Sequence, residues 1–138
     1  MMDECERLGE IQSLIDELAN RADQGAIILV EGRRDRASLE ALGVRGRIVL
    51  TSQKQLFNLA ESVCRQSEDI IILSDWDERG EEVARNAGIY LKSNGARPDV
   101  ELRKKLIYLL RKEINDVENL HGYVERLRLA CEGKPQHY

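Results

Sequence analysis

Glu31 follows the apolar run Ala26-Ile27-Ile28-Leu29-Val30, and Asp75 and Asp77 follow Asp69-Ile70-Ile71-Ile72-Leu73 after Ser74. A carboxylate at the rim of a dry apolar segment loses hydration and needs compensation. Asp75 and Asp77 are two residues apart, so in an extended backbone both point to the same side. Like charges held that close raise one another's pKa unless a cation intervenes. Mg²⁺ suits such a set: it takes oxygen ligands at about 2.0–2.1 Å and keeps waters and substrate phosphates in its shell. Neighbouring strands lie about 4.8 Å apart. If the strand ending in Glu31 neighbours the one ending in Asp75, all three acids can face one hydrated ion.

Basic residues sit close by in sequence. Arg33, Arg34 and Arg36 occupy the first turn after Glu31, where positive charge opposes the helix dipole. Beside an acidic metal site, such a cluster suits a phosphate-bearing substrate, although Arg36 can equally pair with Glu40. Lys54, beyond a second apolar run, is a further phosphate contact on the same rim. Each reading has a plainer rival. Asp77 can cap a helix containing Glu81, Ser52 with Gln55 and Asn115 with Glu118 read as capping boxes, and Trp76 suits burial more than base stacking. His121 and His137 have no partner pattern.

The elements that would position these residues follow from hydrophobic spacing. Leu8, Ile11, Leu14, Ile15 and Leu18 predict an amphipathic helix over residues 3–20. Short branched-aliphatic runs at 26–30, 47–50 and 69–73 predict strands apolar on both faces, which belong in a parallel sheet covered on both sides. Helical segments at 33–42, 54–64 and 81–87 alternate with them, Gly43 and Gly88 acting as stops. Residues 97–100 are a short edge strand, or else Asp99 caps the next helix. Leucine stripes from Glu101 and from Asn115 predict two closing helices, and residues 132–138 a loose tail. The order is that of an α/β fold: a mostly parallel central sheet of about four strands, helices on both faces, and added helices at both ends.

Composition bounds the function. The chain has 138 residues, a size that suits one domain spanning 1–138. No run is long enough for a transmembrane helix, and the acidic first ten residues do not read as a signal peptide. Cys5, Cys64 and Cys131, odd in number and widely spaced, fit a reduced cytoplasmic protein. A net charge of −4 excludes strong duplex binding by bulk charge, leaving a local patch or metal ions as the means of touching nucleic acid.

Val30-Glu31-Gly32 with Asp35, and Asp75-x-Asp77-x-x-Gly80, together resemble the two acidic motifs of the Toprim domain. Topoisomerases, bacterial-type primases, overcoming-lysogenization-type nucleases and the ribonucleases that mature 5S ribosomal RNA share it. The likeness covers about residues 25–116, and the short chain with its extra carboxyl-terminal helices looks most like small stand-alone Toprim proteins of archaea and some bacteria. The resemblance implies that Asp75 and Asp77 bind Mg²⁺ (or Mn²⁺), that Glu31 is a general acid/base or further metal contact, and that Asp35, an acidic position of the nuclease branches, is a further metal residue. Arg79 stands where some branches carry a third acid, and Glu113-Ile114-Asn115-Asp116 matches a late acidic motif only partly. The expected activity is metal-dependent hydrolysis of a nucleic-acid phosphodiester, in RNA or DNA. The rival is a noncatalytic module binding nucleic acid or a nucleoprotein through metal. A receiver-like phosphoacceptor fits less well, lacking a clear fifth strand. The last helix offers a surface for a homodimer.

Overall fold

The apolar runs form strands because their side chains alternate between two dry cores, most completely in β1, all four residues of which are buried. In a computed structural model describing residues 2–133, β1 (Ile27–Val30), β2 (Arg47–Leu50), β3 (Asp69–Ile72) and β4 (Arg97–Asp99) form one all-parallel sheet in the order β2-β1-β3-β4. Successive side chains alternate between two cores. Ile28, Val30, Ile48, Leu50, Ile71 and Leu73 face one core, and Ile27, Leu29, Ile70 and Ile72 the other.

The helices divide between those faces. On the first lie α1 (Glu4–Asp23), α2 (Arg33–Ala41), α5 (Glu101–Leu110) and α6 (Leu120–Glu132), through Ile15, Leu39, Leu106 and Val124 among others. On the second lie α3 (Leu56–Cys64) and α4 (Glu78–Ser93), through Leu59, Val63, Ala87 and Leu91. The chain runs outward from β1 to β2, crosses back to β3 and continues to β4, so it reverses between β1 and β3. In open parallel sheets the crevice at such a reversal, beyond the carboxyl ends of the strands, is where ligands bind. Glu31 and Asp75 follow those two strands.

Several boundaries differ from expectation. α4 runs through Gly88 because Ala87 and Leu91 continue its buried stripe; Asn94 ends it, with Gly95 in the left-handed region at φ +86°. A 3₁₀ turn at Thr51–Gln53 delays α3 to Leu56, its N-cap Gln55 makes no side-chain cap, and the Ser52–Gln55 capping box does not form. α6 begins at Leu120 rather than Asn115, because residues 114–117 turn back to pair with the loop after β3. The edge strand β4 forms and ends at Asp99; the N-cap of α5 is Val100, though Asp99 Oδ1 accepts the Glu101 N–H at 2.7 Å from one residue earlier.

The cysteines also depart from expectation. α1 and α6 lie side by side and bring Cys5 and Cys131 to a Cα separation of 5.5 Å, where they pair as a disulfide; Cys64 is free. Nothing in the spacing of two residues 126 apart announces that pairing. Residues 134–138, most of the expected tail and including His137, lie outside the described residues.

Candidate metal centre

The ladder between β1 and β3 continues one step past the strands, with the Leu73 N–H donating to the Leu29 carbonyl at 2.8 Å. There the backbone exchange stops. The Asp75 N–H, which needs an acceptor, takes the Glu31 carboxylate instead, at 2.7 Å to Oε2. The last rung of the sheet therefore holds Glu31 against Asp75, 44 residues away. The Asp75 carboxylate is held from the other side, Oδ1 accepting the Val117 N–H at 3.0 Å.

Asp35 joins the same acidic ground. It is 6% exposed, accepts the Gly32 N–H at 2.9 Å on Oδ2 and also receives the Glu118 N–H. Burial pushes its carboxyl up, opposed by those N–H donors and reinforced by the charges of Glu31 and Asp116. Asp75 is pushed further, to about 7, first by burial and then by the charges of Asp35 and Glu31 and a hydrogen bond shared with Glu31; the Val117 N–H works the other way. Burial and the neighbouring carboxylates thus both favour the neutral form of Asp75.

Asp77 stands differently. It is exposed and caps α4, its Oδ1 accepting the Gly80 N–H at 2.7 Å. The same-side geometry expected of Asp75 and Asp77 presumes extended backbone, whereas the chain bends here into the helix. Gly80 permits that bend: a Cβ on it would lie 1.7 Å from the Asp75 carbonyl oxygen. Behind the bend, the Ser74 hydroxyl donates to the Gly80 carbonyl at 2.7 Å.

Spacing alone did not single out Arg103. It is 4% exposed, and its guanidinium donates to the Ser74 carbonyl (2.8 Å), the Asp75 carbonyl (2.7 Å) and Glu81 Oε1 (2.9 Å). It braces the Asp75 loop from beneath. The only signal in the sequence is an arginine beside Leu102 on the apolar stripe of α5, where a charge needs buried partners.

The late segment reaches the site as well. The Trp76 N–H donates to the Asn115 carbonyl (3.0 Å) and Trp76 Nε1 to the Ile114 carbonyl (2.5 Å), with the indole packed on the first core. Trp76 is thus half-buried, held by the connector between α5 and α6 where packing on a helix was expected. Asp116 Oδ1 accepts the Asn119 N–H at 2.9 Å, and Asn115 caps no helix.

The basic residues surround this ground without forming one cluster. Arg33 and Arg34 are exposed at the start of α2, Arg34 reaching Glu118 at 3.3 Å with most of its side chain in solvent. Lys54 is exposed at the end of the 3₁₀ turn, in a shallow hollow with Arg47 and Gln53.

Among the described residues, no group of three or more His, Cys, Asp or Glu side chains is disposed to hold an ion unaided. The donor chemistry nevertheless fits a hard cation. All the candidates are carboxylates, Glu31, Asp75 and Asp77 each give one oxygen to a backbone N–H and keep a second, and the site carries a surplus negative charge. Mg²⁺ normally takes one or two carboxylates and completes its shell with water and substrate phosphate rather than a protein cage.

The chain as a whole has matches among known proteins. The family model of the Toprim domain matches residues 26–107. A UPF0292 protein of Methanosarcina barkeri is 44% identical over 89% of this chain and 86% of its own length. A UPF0292 protein of Pyrococcus horikoshii is 38% identical over 90% of this chain and 91% of its own. A solved structure of a protein from Aquifex aeolicus superposes with a TM-score of 0.67 at 27% identity, over 78% of this chain and 94% of that one.

Proposed function

The chain belongs to the Toprim family, and on that premise we propose that it is a Mg²⁺- or Mn²⁺-dependent phosphodiesterase acting on nucleic acid. Membership itself implies a metal-dependent function related to nucleic acid. The finer reading rests on one observation: the Glu31 carboxylate meets the Asp75 N–H at the reversal of the sheet, which brings two acids from different strands together where ligands bind in such folds.

On this reading Asp75 holds the ion, with Asp77 as its second protein ligand. When bound, a divalent ion neutralises charge on the phosphate oxygens and lowers the pKa of a bound water. Glu31 has its Oε2 held by the Asp75 N–H, so Oε1 is the atom that accepts a proton from the attacking water or returns one to the leaving oxygen. Asp35, occupied by two backbone N–H groups, adds charge and ties α2 to the late connector. Arg33, Arg34 and Lys54 bind the phosphates flanking the scissile one.

The test is cleavage of end-labelled single-stranded RNA and DNA with millimolar Mn²⁺ or Mg²⁺, using Asp75→Asn and Glu31→Gln as controls. Each substitution is expected to lower the rate by about 100-fold or more. Full activity in both variants would place the chemistry elsewhere. Tight, metal-dependent binding by the wild type with no turnover would favour the noncatalytic module.

A further inference from the structure

α5 carries a face that the metal centre does not use. Lys104, Lys105, Tyr108, Arg111 and Lys112 stand at i, i+1, i+4, i+7 and i+8, which at 3.6 residues per turn spans an arc of about 120° with Tyr108 near its middle. Arg111 keeps helical dihedrals, and the Ile114 N–H still donates to the Leu110 carbonyl, so the phase carries past the end of α5. All five side chains are exposed, and Tyr108 is 73% exposed, the highest value among the large hydrophobics of the described residues.

The face borders a trough. Leu14 of α1 and Leu109 of α5 line a hollow of about 430 Å³ edged by Lys104, Lys105 and Tyr108. A second hollow, of about 260 Å³, adjoins it across Tyr108 and Leu109 and is edged by Arg7, Arg111 and Lys112. Glu10 and Glu113 are the acids on the two rims, and Glu101 pairs with Lys104 at 3.5 Å. On a chain whose net charge is −4, this is a concentrated positive strip with an aromatic ring at its centre and an apolar floor. Basic residues that track a backbone, interleaved with a ring on which a base can stack, make up the chemistry that recognises single-stranded nucleic acid.

The strip also leads to the acidic site. Two residues after Lys112, the Ile114 carbonyl accepts Trp76 Nε1, and three further on the Val117 N–H holds Asp75 Oδ1. We propose that the α1–α5 trough binds a single-stranded segment of nucleic acid flanking the phosphate presented to the acidic site, with Lys105, Arg111 and Lys112 on backbone phosphates and Tyr108 stacked on a base. The proposal rests on the nucleic-acid reading of that site, but its binding step needs no metal. An acidic protein segment is the competing occupant.

The experiment measures fluorescence anisotropy of a labelled single-stranded 15-mer with the full chain in EDTA, across a salt series. Wild type is expected to bind. Lys105→Ala/Arg111→Ala/Lys112→Ala is expected to weaken binding at least tenfold and to flatten the plot of log Kd against log salt by about two. Tyr108→Ala is expected to weaken binding about fivefold or more with the slope unchanged, a split that generalised unfolding does not produce. Circular dichroism of each variant checks the fold, and Tyr108→Phe, which keeps the ring, should bind as wild type does. No binding by wild type, or affinities within twofold in every strip variant, overturns the proposal. A polyglutamate peptide binding as tightly as the 15-mer and lost in the same variants would assign the strip to an acidic protein instead and also overturns it. The two readings fail separately: EDTA-resistant, strip-dependent binding without cleavage under Mn²⁺ sinks the phosphodiesterase and leaves the trough standing. Cleavage indifferent to the strip does the reverse.

Discussion

At the scale of single residues, the site is organised by backbone groups that end regular structure with nothing else to bond. The Asp75 N–H would be the next donor of the β1–β3 ladder, and it selects Glu31. The cost falls on the Asp75 carboxyl, which burial first, and then the charges of Asp35 and Glu31, push up to about 7. A carboxyl whose folded pKa lies above its unfolded value of 3.8 contributes stability that is fully present below the unfolded value and lost as pH rises through the folded one. Metal-free wild type should therefore lose stability between pH 4 and pH 7 at this group, and Asp75→Asn, which keeps Oδ1 for Val117, should not. In EDTA at pH 8 the variant should be more stable by about 1–2 kcal/mol, allowing for partial solvent screening, a rise in Tm of about 3–6 °C. A variant no more stable than wild type in EDTA would mean that burial and the neighbouring charges do not penalise the Asp75 carboxylate.

Arg103 works at the same scale in the opposite direction. Its buried fork satisfies two carbonyls of the Asp75 loop, and unmet buried acceptors are expensive. Arg103→Met should cost about 2–4 kcal/mol in urea denaturation. Because the group orients the metal loop without touching the ion, Mg²⁺ affinity by calorimetry should also fall about tenfold or more. Lysine lacks the planar fork, so Arg103→Lys should restore little of either.

At the scale of elements, close approach and anchoring set the positions of α4 and β4. Gly80 lets the first turn of α4 lie on the Asp75 carbonyl, and a methyl at 1.7 Å has no room without backbone movement. Gly80→Ala should therefore cost about 3 kcal/mol or more, although alanine normally favours a helix; a neutral result in thermal melts would show that α4 can slide. Arg21 of α1 bridges Asp69 at the start of β3 and Asp99 at the end of β4. Burial works against charge on Asp99, but hydrogen bonds from Arg21 and the Glu101 N–H, with the Arg21 charge, hold its carboxyl below the usual range. A depressed pKa gives stability that is present above the unfolded value and lost as pH falls through the folded one. Asp99→Asn should thus cost about 1 kcal/mol at pH 7 and progressively less as pH falls below the unfolded value. Parallel curves for variant and wild type from pH 7 to pH 2 would contradict that.

At the scale of the whole molecule, α1 and α6 close the fold on one side of the sheet, and the Cys5–Cys131 disulfide joins their outer ends. A cross-link enclosing most of the chain restricts the unfolded state. Reduction, or Cys5→Ser with Cys131→Ser, should lower stability by about 2–4 kcal/mol. Thiol titration of the unfolded, unreduced protein should find Cys64 alone; three thiols before reduction would show that the pair stays open.

The β-α alternation was legible in the amino-acid sequence because a strand dry on both faces must be apolar at every position, as β1 is. The two acidic motifs were legible for a related reason: carboxylates directly behind such runs are costly enough to stand out. Where spacing misled, a long-range partner had won. Residues 114–119 look like a capping box followed by helix, yet Asp75 and Trp76 claim their N–H and carbonyl groups and hold them as a turn. Sequence by itself determined which segments seek the dry interior and which carboxylates lie at its rim, since transfer of a side chain out of water depends on that side chain. Only tertiary structure decided that Glu31 rather than Asp77 meets Asp75, that Arg103 lies beneath them, and that Cys5 finds Cys131. Those pairings depend on the order of strands and the packing of helices, and no local preference along the chain encodes a distance across it.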